Sequence, residues 1–413
     1  MKTSMRKIAL AASVALPWAT MAAATDLEVT HWWTSGGEAA AVAEFANAFN
    51  ENTDHNWVDG AIAGGGSTAR PVMVSRIIGG DPMGAFQFNH GRQAEELIEA
   101  GVLRDLTELA EAEGWRDIIN PPSLLDSCTV DGKIYCVPVN IHSWQWLWLS
   151  NKAFEDAGVD VPTNWDEYVA AAPALKEAGK VPLALGGQPW QNSGLFNVLM
   201  VALAGPDVLV QLYGEKDADL AAGEEIARVF KAAADARDMS QGSNVQDWNQ
   251  ATNLVITDAA GGQVMGDWAQ GEFQVAEEVA GEDYTCLPGL GVNELISTDG
   301  DAFYFPLIED PEIAAAQEAL ASTMVSPETQ VAFNLKKGSL PIRGDIDLAA
   351  ANDCMKKGLE ILASGNVMPA VNQLNTEDTN NQLNDLFVEF FNDTSITVED
   401  AQARFVNIVK NAD

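Results

Sequence analysis

The chain has 413 residues, of which 60 are acidic and 23 basic, so its formal net charge is −37 at neutral pH. Such a negative chain repels nucleic acid and anionic lipid surfaces, and we expect neither as a partner. Its apolar fraction of 47% argues against disorder. Its length is sufficient for two lobes with separate cores.

The first residues predict a secretory signal peptide over residues 1–24. Lys2, Arg6 and Lys7 form a basic start, and a short apolar stretch leads to a run of alanines that ends at Ala24. We therefore expect cleavage after Ala24 and a mature protein in the periplasm. No cysteine stands at the cleavage point for a lipid anchor, and no later apolar run reaches the roughly 20 residues of a membrane span.

Strand and helix signals then alternate along the chain. The stretch LEVTHWW predicts a strand because β-branched and aromatic residues dominate it. Apolar residues recur at helical spacing from Val42 to Phe49, and VMVSRIIGG predicts the end of a second helix. GAFQFN predicts a strand and GRQAEELIEAG the helix after it. This order predicts an α/β fold with mainly parallel sheets flanked by helices.

The second half continues with the strand WQWLWLS, the helix NWDEYVAAAPALKEAG and the strand VPLALGG, and the last third is mostly helical. No Pro/Gly/Ser-rich linker divides the chain, so we expect it to cross between the lobes more than once. The extended, proline-bearing stretches near residues 140 and 288 are the best crossings. We expect residues 25–139 plus 287–345 to form the N-terminal lobe and residues 140–286 plus 346–413 the C-terminal lobe.

Four cysteines in an exported chain suggest two disulfides. The stretch SCTVDGKIYC predicts a hairpin with a three-residue turn, Asp131 to Lys133, which would place Cys128 opposite Cys136. Cys286 and Cys354 would then pair across a long loop. We favour this connectivity among the three possible ones.

Two tryptophans and an acid follow the first predicted strand. In an open parallel sheet, ligands bind at the carboxyl ends of the strands, where Trp32 and Trp33 would lie. The apolar face of a pyranose stacks on an indole, and Glu38 could accept hydrogen bonds from sugar hydroxyls. Because a strand alternates sides, we expect only one tryptophan to face the cleft fully. The alternative is that both belong to the core and Glu38 complements the helix dipole.

Two later stretches extend this pattern. GQVMGDWAQGEF again places an acid and a tryptophan, Asp267 and Trp268, at a strand end. LKKGSLPIRGD places Lys336 and Lys337 before a turn, where a lysine could donate to a sugar hydroxyl or cap a helix. AGGGSTARP lacks the Gly-Lys-Ser/Thr ending of a nucleotide loop. The histidines are dispersed and no nucleophile elbow occurs, so we expect no metal, no cofactor and no enzyme.

Together these stretches resemble the solute-binding proteins of ATP-binding-cassette sugar importers, and among them the periplasmic glucose-binding proteins of proteobacteria. The stretches that carry the resemblance are HWWTSGGEAAAV, GAIAGGGSTA, GVLRDLT, VPVNIHSWQWLWLS, PLALGGQPWQ, MGDWA and KKGSLPIRGD. The resemblance implies a two-lobed periplasmic-binding-protein fold that closes on a sugar by a hinge. It also implies a monomer that delivers the sugar to the membrane permease subunits of its importer.

The stacking and polar positions of that family fall on Trp32, Trp33, Glu38, Gln87, Asn89, Trp268, Asp301, Lys337 and Gln373. His90 competes with Asn89, and Asp299 with Asp301, for the same role. Glucose binders of this type carry Lys or His at the position of Asn89 and His at that of Gln373, whereas this chain has amides. The ligand class therefore stays open between a monosaccharide such as glucose and an oligosaccharide, sugar acid or osmolyte glycoside. A secreted glycosidase remains a more distant alternative, because sixty acids allow many carboxylate pairs.

Overall fold

A computed structural model describes residues 24–412. The predicted signal peptide, residues 1–24, lies outside the described residues except for Ala24. Within the described part of the chain, no helix is both long and apolar enough to cross a bilayer. The strands are β1 (Asp26–His31), β2 (Asn56–Ala61), β3 (Ala85–Asn89), β4 (Thr129–Val130), β5 (Lys133–Ile134), β6 (Cys136–Pro138), β7 (Trp146–Ser150), β8 (Val181–Ala184), β9 (Ala260–Val264), β10 (Tyr284–Pro288), β11 (Ile296–Ser297), β12 (Asp301–Tyr304) and β13 (Val367–Met368).

Helices connect these strands and make up most of the C-terminal third. They are α1 (Gly36–Asn52), α2 (Gly66–Ile78), α3 (Glu95–Glu99), α4 (Thr107–Ala112), α5 (Trp115–Ile118), α6 (Ser123–Asp126), α7 (Asn151–Ala157), α8 (Trp165–Glu177), α9 (Pro189–Ala204), α10 (Asp207–Leu209), α11 (Ala218–Ala221), α12 (Glu224–Met239), α13 (Trp248–Ile256), α14 (Ala269–Val275), α15 (Pro311–Val325), α16 (Pro327–Lys337), α17 (Asp353–Ser364), α18 (Val371–Leu374), α19 (Glu377–Asn392) and α20 (Val398–Asn411).

Two sheets form the centres of two lobes, as predicted. The first sheet has the strand order β2-β1-β3-β12-β6, in which β12 runs antiparallel to both neighbours. The second has the order β10-β7-β9-β8, in which β7 runs antiparallel to both neighbours. The other strands of each sheet all run in the same direction, so their carboxyl ends meet at one edge of the sheet. That edge faces the other lobe, where the α/β rule places ligands.

Helix α1 shows how the sequence sets one wall of the space between the lobes. Ser35 caps the helix by accepting from the Glu38 backbone N–H, which fixes the helix start directly after the Trp32-Trp33 pair. Val42, Phe45 and Phe49 are buried. This apolar stripe packs α1 against the first sheet and α16, so that its first turn reaches the edge of the sheet.

The second lobe has its own aromatic core. The ring of Phe196 on α9 lies 4.1 Å from that of Phe387 on α19 and 4.6 Å from that of Phe230 on α12. Phe405 on α20 completes the cluster at 5.6 Å from Phe196. The C-terminal helices therefore belong to the second lobe, and α9 and α19 pack side by side.

The chain crosses between the sheets from β6 to β7 and again from β10 to β12. At the crossings, Ile141 pairs with Leu340 and His142 with Asp299 in isolated bridges, so the segments lie side by side. The predicted division between Cys286 and Leu287 falls inside β10, which continues to Pro288 before the chain returns to the first sheet.

Both predicted disulfides are present, with Cα–Cα distances of 5.1 Å for Cys128–Cys136 and 6.0 Å for Cys286–Cys354. The predicted three-residue turn is wrong. Thr129 pairs with Ile134 and Val130 with Lys133, so the turn has only two residues, Asp131 and Gly132, both with positive φ. The backbone N–H of Tyr135 donates to the Cys128 carbonyl, and Cys128 therefore lies opposite Tyr135 rather than Cys136.

Candidate ligand-binding cleft

A cleft of about 320 Å³ lies between the two lobes. The first lobe contributes the residues that follow β1 and β3, together with the glycine loop Gly64 to Gly66. The second lobe contributes one face each of α9 and α19, the first residues of α13 and the segment around Trp144. The cleft volume falls at the lower end of the range typical of small-molecule sites, roughly 300–1,000 Å³.

The two adjacent tryptophans have different surroundings. Trp32 is half-buried and lies on the cleft wall. Trp33 is 1% exposed, and its ring packs 5.3 Å from Phe333 and 5.6 Å from Phe303. It touches the cleft, but most of it belongs to the core. Alternation along the strand predicted that only one of the two would face the cleft fully, but it did not determine which one.

Glu38 and Lys337 meet as a buried ion pair. The Lys337 ammonium donates to Glu38 Oε1 at 2.9 Å, and the two side chains are 2% and 8% exposed for the lysine and the acid. Ser35 Oγ donates to the other carboxylate oxygen at 3.2 Å. We expected the pair to contact separate parts of a ligand, but the structure joins them to each other. Both still line the cleft, and the ammonium has two further protons to donate.

Asp301 lies on the cleft wall at the centre of a buried network. Its Oδ1 accepts from Gln87 Nε2 at 2.8 Å, and its Oδ2 accepts from Asn140 Nδ2 at 3.0 Å. Gln87 Oε1 in turn accepts from the Trp32 backbone N–H at 3.1 Å. Gln87 is fully buried and is not part of the cleft wall, so it positions Trp32 and Asp301 instead of meeting a ligand itself.

Asn89 lies on the wall, and its amide donates to the Gly300 carbonyl at 3.2 Å. Its competitor His90 is fully buried away from the cleft, where it hydrogen-bonds Ser127 Oγ at 2.8 Å. Burial lowers the pKa of His90 to about 3, so its imidazole is neutral at ordinary pH. Between these two residues, only Asn89 is placed to meet a ligand.

The side-chain amide of Gln373 bonds to backbone groups of the protein at both of its ends. Its Oε1 accepts from the Ala370 N–H at 3.0 Å, and its Nε2 donates to the Thr298 carbonyl at 3.3 Å. Gln373 is absent from the cleft wall, whereas its neighbour Asn372 lines the cleft and donates to Asp299 at 3.4 Å. Asp299 also faces the cleft, and burial raises the pKa of its carboxyl group. Both acids of the competing pair, Asp299 and Asp301, are thus wall residues.

The second lobe has an aromatic wall that was not predicted from the sequence. The ring of Trp144 lies 5.0 Å from that of Trp268 and 5.4 Å from that of Trp190. Gly194 on α9 makes room for this arrangement, because a Cβ there would lie 2.4 Å from the Trp144 ring. Of these tryptophans only Trp268 was predicted. The stretches HSWQW and QPWQ each showed a tryptophan, but nothing in them indicated that the two rings meet.

Arg70 connects the two lobes at the mouth of the cleft. Its guanidinium carbon lies 6.0 Å from the centre of the Trp32 ring, and its Nη2 donates to Glu377 Oε1 at 2.9 Å. Gln188 Nε2 makes a further contact across the mouth, 3.5 Å from the Gly64 carbonyl oxygen. In residues 24–412, no group of His, Cys, Asp or Glu side chains could hold a metal ion.

Comparison with known proteins identifies the family. The profile of the bacterial extracellular solute-binding proteins matches residues 33–318. The chain belongs to this family. A probable sugar-binding periplasmic protein of Rhizobium meliloti (strain 1021) is 36% identical to this solute-binding protein over 346 residues, which cover 83% of this chain and 82% of that protein.

Solved structures share the fold of this solute-binding protein. A chitin oligosaccharide binding protein superposes with a TM-score of 0.77 at 22% identity, covering 94% of this chain and 99% of that chain. A bacterial solute receptor with an exclusive substrate preference for β-D-galactopyranose superposes with a TM-score of 0.76 at 18% identity, covering 93% of this chain and 98% of that one. The two-lobed fold predicted from the sequence is therefore confirmed.

Proposed function

We propose that this solute-binding protein captures a neutral sugar between its lobes and delivers it to the permease subunits of an ATP-binding-cassette importer. The observation that carries the proposal is the pairing of charges in the cleft. The described wall of the cleft has one lysine and one arginine, Lys337 and Arg70. Each of them already pairs with a carboxylate of the protein itself. An anionic ligand would therefore find no unpaired lysine or arginine on this wall.

The other charges of the cleft also favour a neutral ligand. Asp247, Asp299 and Asp301 also line the cleft, and no Lys or Arg of the wall pairs with them. Carboxylate oxygens accept hydrogen bonds from hydroxyl groups, which a neutral sugar supplies in several directions. A sugar acid would instead bring a negative charge close to several acids in a partly desolvated site, which is unfavourable. The rings of Trp32 and Trp268 supply apolar faces for the ring carbons of a sugar.

The related protein from Rhizobium meliloti is named as a probable sugar-binding periplasmic protein, which supports the same proposal. The resemblance noted in the sequence favours a monosaccharide such as glucose. An oligosaccharide is the alternative, and the extension of the cleft along α9 and α19 favours it. We propose capture without turnover, and ligand-driven closure of the lobes follows if the sugar binds the closed state better than the open state.

A thermal-shift screen of the mature chain tests the proposal. Neutral hexoses, neutral disaccharides and the matching sugar acids are compared at equal concentration. A specific ligand at a hundredfold excess over its Kd stabilises the folded protein by about 2.7 kcal/mol. We expect such stabilisation from a neutral sugar, with affinity that depends weakly on salt. Stabilisation by sugar acids alone, or a steep loss of affinity in molar salt, would overturn the proposal. Release of phenol from an aryl glycoside would overturn capture without turnover.

A further inference from the structure

In the second lobe the cleft extends along the adjacent faces of α9 and α19, and we call this part the helix compartment. Its walls are formed by Ser193, Asn197, Leu209, Leu383 and Asn384. The two helices run parallel, since Ser193 contacts Asn384 and, one turn further, Phe196 stacks on Phe387. The stacked Phe pair lies in the core between the helices and limits the compartment on that side.

The depth of this compartment follows from helix geometry. On α9 the cleft wall runs from Trp190, at the mouth beside the glycine loop, to Asn197; on α19 it runs from Glu377 to Asn384. Seven residues of α-helix span about 10 Å. Trp32 and Arg70 lie at the mouth, so a pyranose stacked on Trp32 leaves the inner part of this wall without contact.

The chemistry of the helix compartment differs from that of the cleft wall of the first lobe. None of its five wall residues is charged, whereas the part of the cleft around Asp301 holds several acids. Asn197 is 9% exposed, and its Oδ1 accepts from Tyr213 Oη at 2.8 Å. Asn384 Oδ1 accepts from Ser193 Oγ. Both amide oxygens are thus oriented by the protein, and neither NH₂ group has a hydrogen-bond partner among residues 24–412.

Oriented amide donors beside two leucine side chains suit a neutral group that has hydroxyl oxygens and an apolar face. We infer that the cleft takes a neutral sugar of at least two units, with one ring on Trp32 and the second unit in the helix compartment. This inference rests on the proposed function and names the size of its ligand. Trp144 borders the compartment, and its ring lies against Gly194 on α9 and 5.0 Å from the ring of Trp268.

The experiment compares the mature chain with its Asn384→Ala variant by titration calorimetry, using glucose and a panel of glucose-containing disaccharides. We expect at least one disaccharide to bind tenfold or more tightly than glucose. Loss of one neutral hydrogen bond corresponds to about threefold to tenfold in affinity. Asn384→Ala should therefore lower the ratio of disaccharide to glucose affinity by at least threefold. Asn392→Ala removes an exposed amide from the same helix and is the matched control, for which the ratio should not change.

The outcomes separate this inference from the proposed function. If glucose binds at least as tightly as every disaccharide, or if Asn384→Ala leaves the ratio unchanged, the two-unit ligand is wrong while the neutral-sugar proposal stands. If no neutral sugar binds the wild-type chain, both are wrong. A second variant, Leu383→Phe, should narrow the helix compartment and lower the same ratio without removing a polar group. Melting temperatures establish that each variant is folded before titration.

Discussion

Replacing Lys337 with methionine is expected to destabilise the sugar-free protein by about 3 kcal/mol. Methionine conserves most of the side-chain volume but leaves the Glu38 carboxylate with no cation, where it now has an ammonium at 2.9 Å. Removing one partner of a buried ion pair costs about 3–5 kcal/mol, because the remaining charge stays desolvated. We expect the lower end of this range, because Glu38 borders the cleft and water can reach its carboxylate when no ligand is bound.

The assay is urea denaturation at neutral pH, with Lys336→Met as the matched control. Lys336 is exposed and neighbours Lys337, so its variant removes the same charge at a surface position and should change stability by less than about 0.5 kcal/mol. The double variant Glu38→Gln with Lys337→Met removes both charges and should recover most of the loss. If Lys337→Met is no less stable than Lys336→Met, or if the double variant is as unstable as the single one, the buried pair does not contribute as argued.

Trp32→Ala should weaken sugar binding at least tenfold, about 1.4 kcal/mol, with little loss of stability. Trp33→Ala should instead destabilise the fold by about 3–5 kcal/mol. If calorimetry and denaturation show the same behaviour for both variants, the division between cleft and core is wrong. Burial raises the pKa of Asp267 well above its usual value, so its cost to stability grows as pH rises from the unfolded pKa of about 3.9. Asp267→Asn should therefore raise the melting temperature at pH 7 and not at pH 3. Replacing Cys286 and Cys354 by serine opens a loop with a sequence separation of 68 residues and should lower the free energy of unfolding by about 4 kcal/mol. A loss below about 1 kcal/mol in denaturation would refute this contribution of the disulfide.

Local patterns in the sequence predicted most of the fold. The β-branched strand before Trp32 and the apolar stripe from Val42 to Phe49 each specify one element, and their alternation specifies sheets with helices around them. The hairpin at Asp131 was predicted with one residue too many, because its length depends on whether Lys133 joins the strand. Such a choice is made by tertiary contacts: the Ile134 N–H bonds Thr107 Oγ1 on a separate helix.

The site was predictable only where a strand end determines which side a residue faces. Trp32 and Asp301 follow or begin strands of the first sheet, and both reach the cleft wall. Gln373 lies in a short segment outside the main sheets, where a shift of one residue brings Asn372 to the wall in its place. Wall residues on helices were harder to find, since α9 is buried on nearly all sides and the face that lines the cleft cannot be read from periodicity.

The two lobes present their wall residues from different kinds of secondary structure. The first lobe presents its groups from strand ends held by the Gln87–Asp301 network, which leaves little freedom to accommodate different rings. The second lobe presents Asn197 and Asn384 from helix surfaces, where single substitutions change the depth and polarity of the cleft without disturbing a sheet. Under the proposed two-unit ligand, recognition of the first sugar ring is therefore tied to the fold of the first lobe. Recognition of the proposed second unit would depend on a few side chains of α9 and α19, and those positions are where specificity can change at least cost to stability.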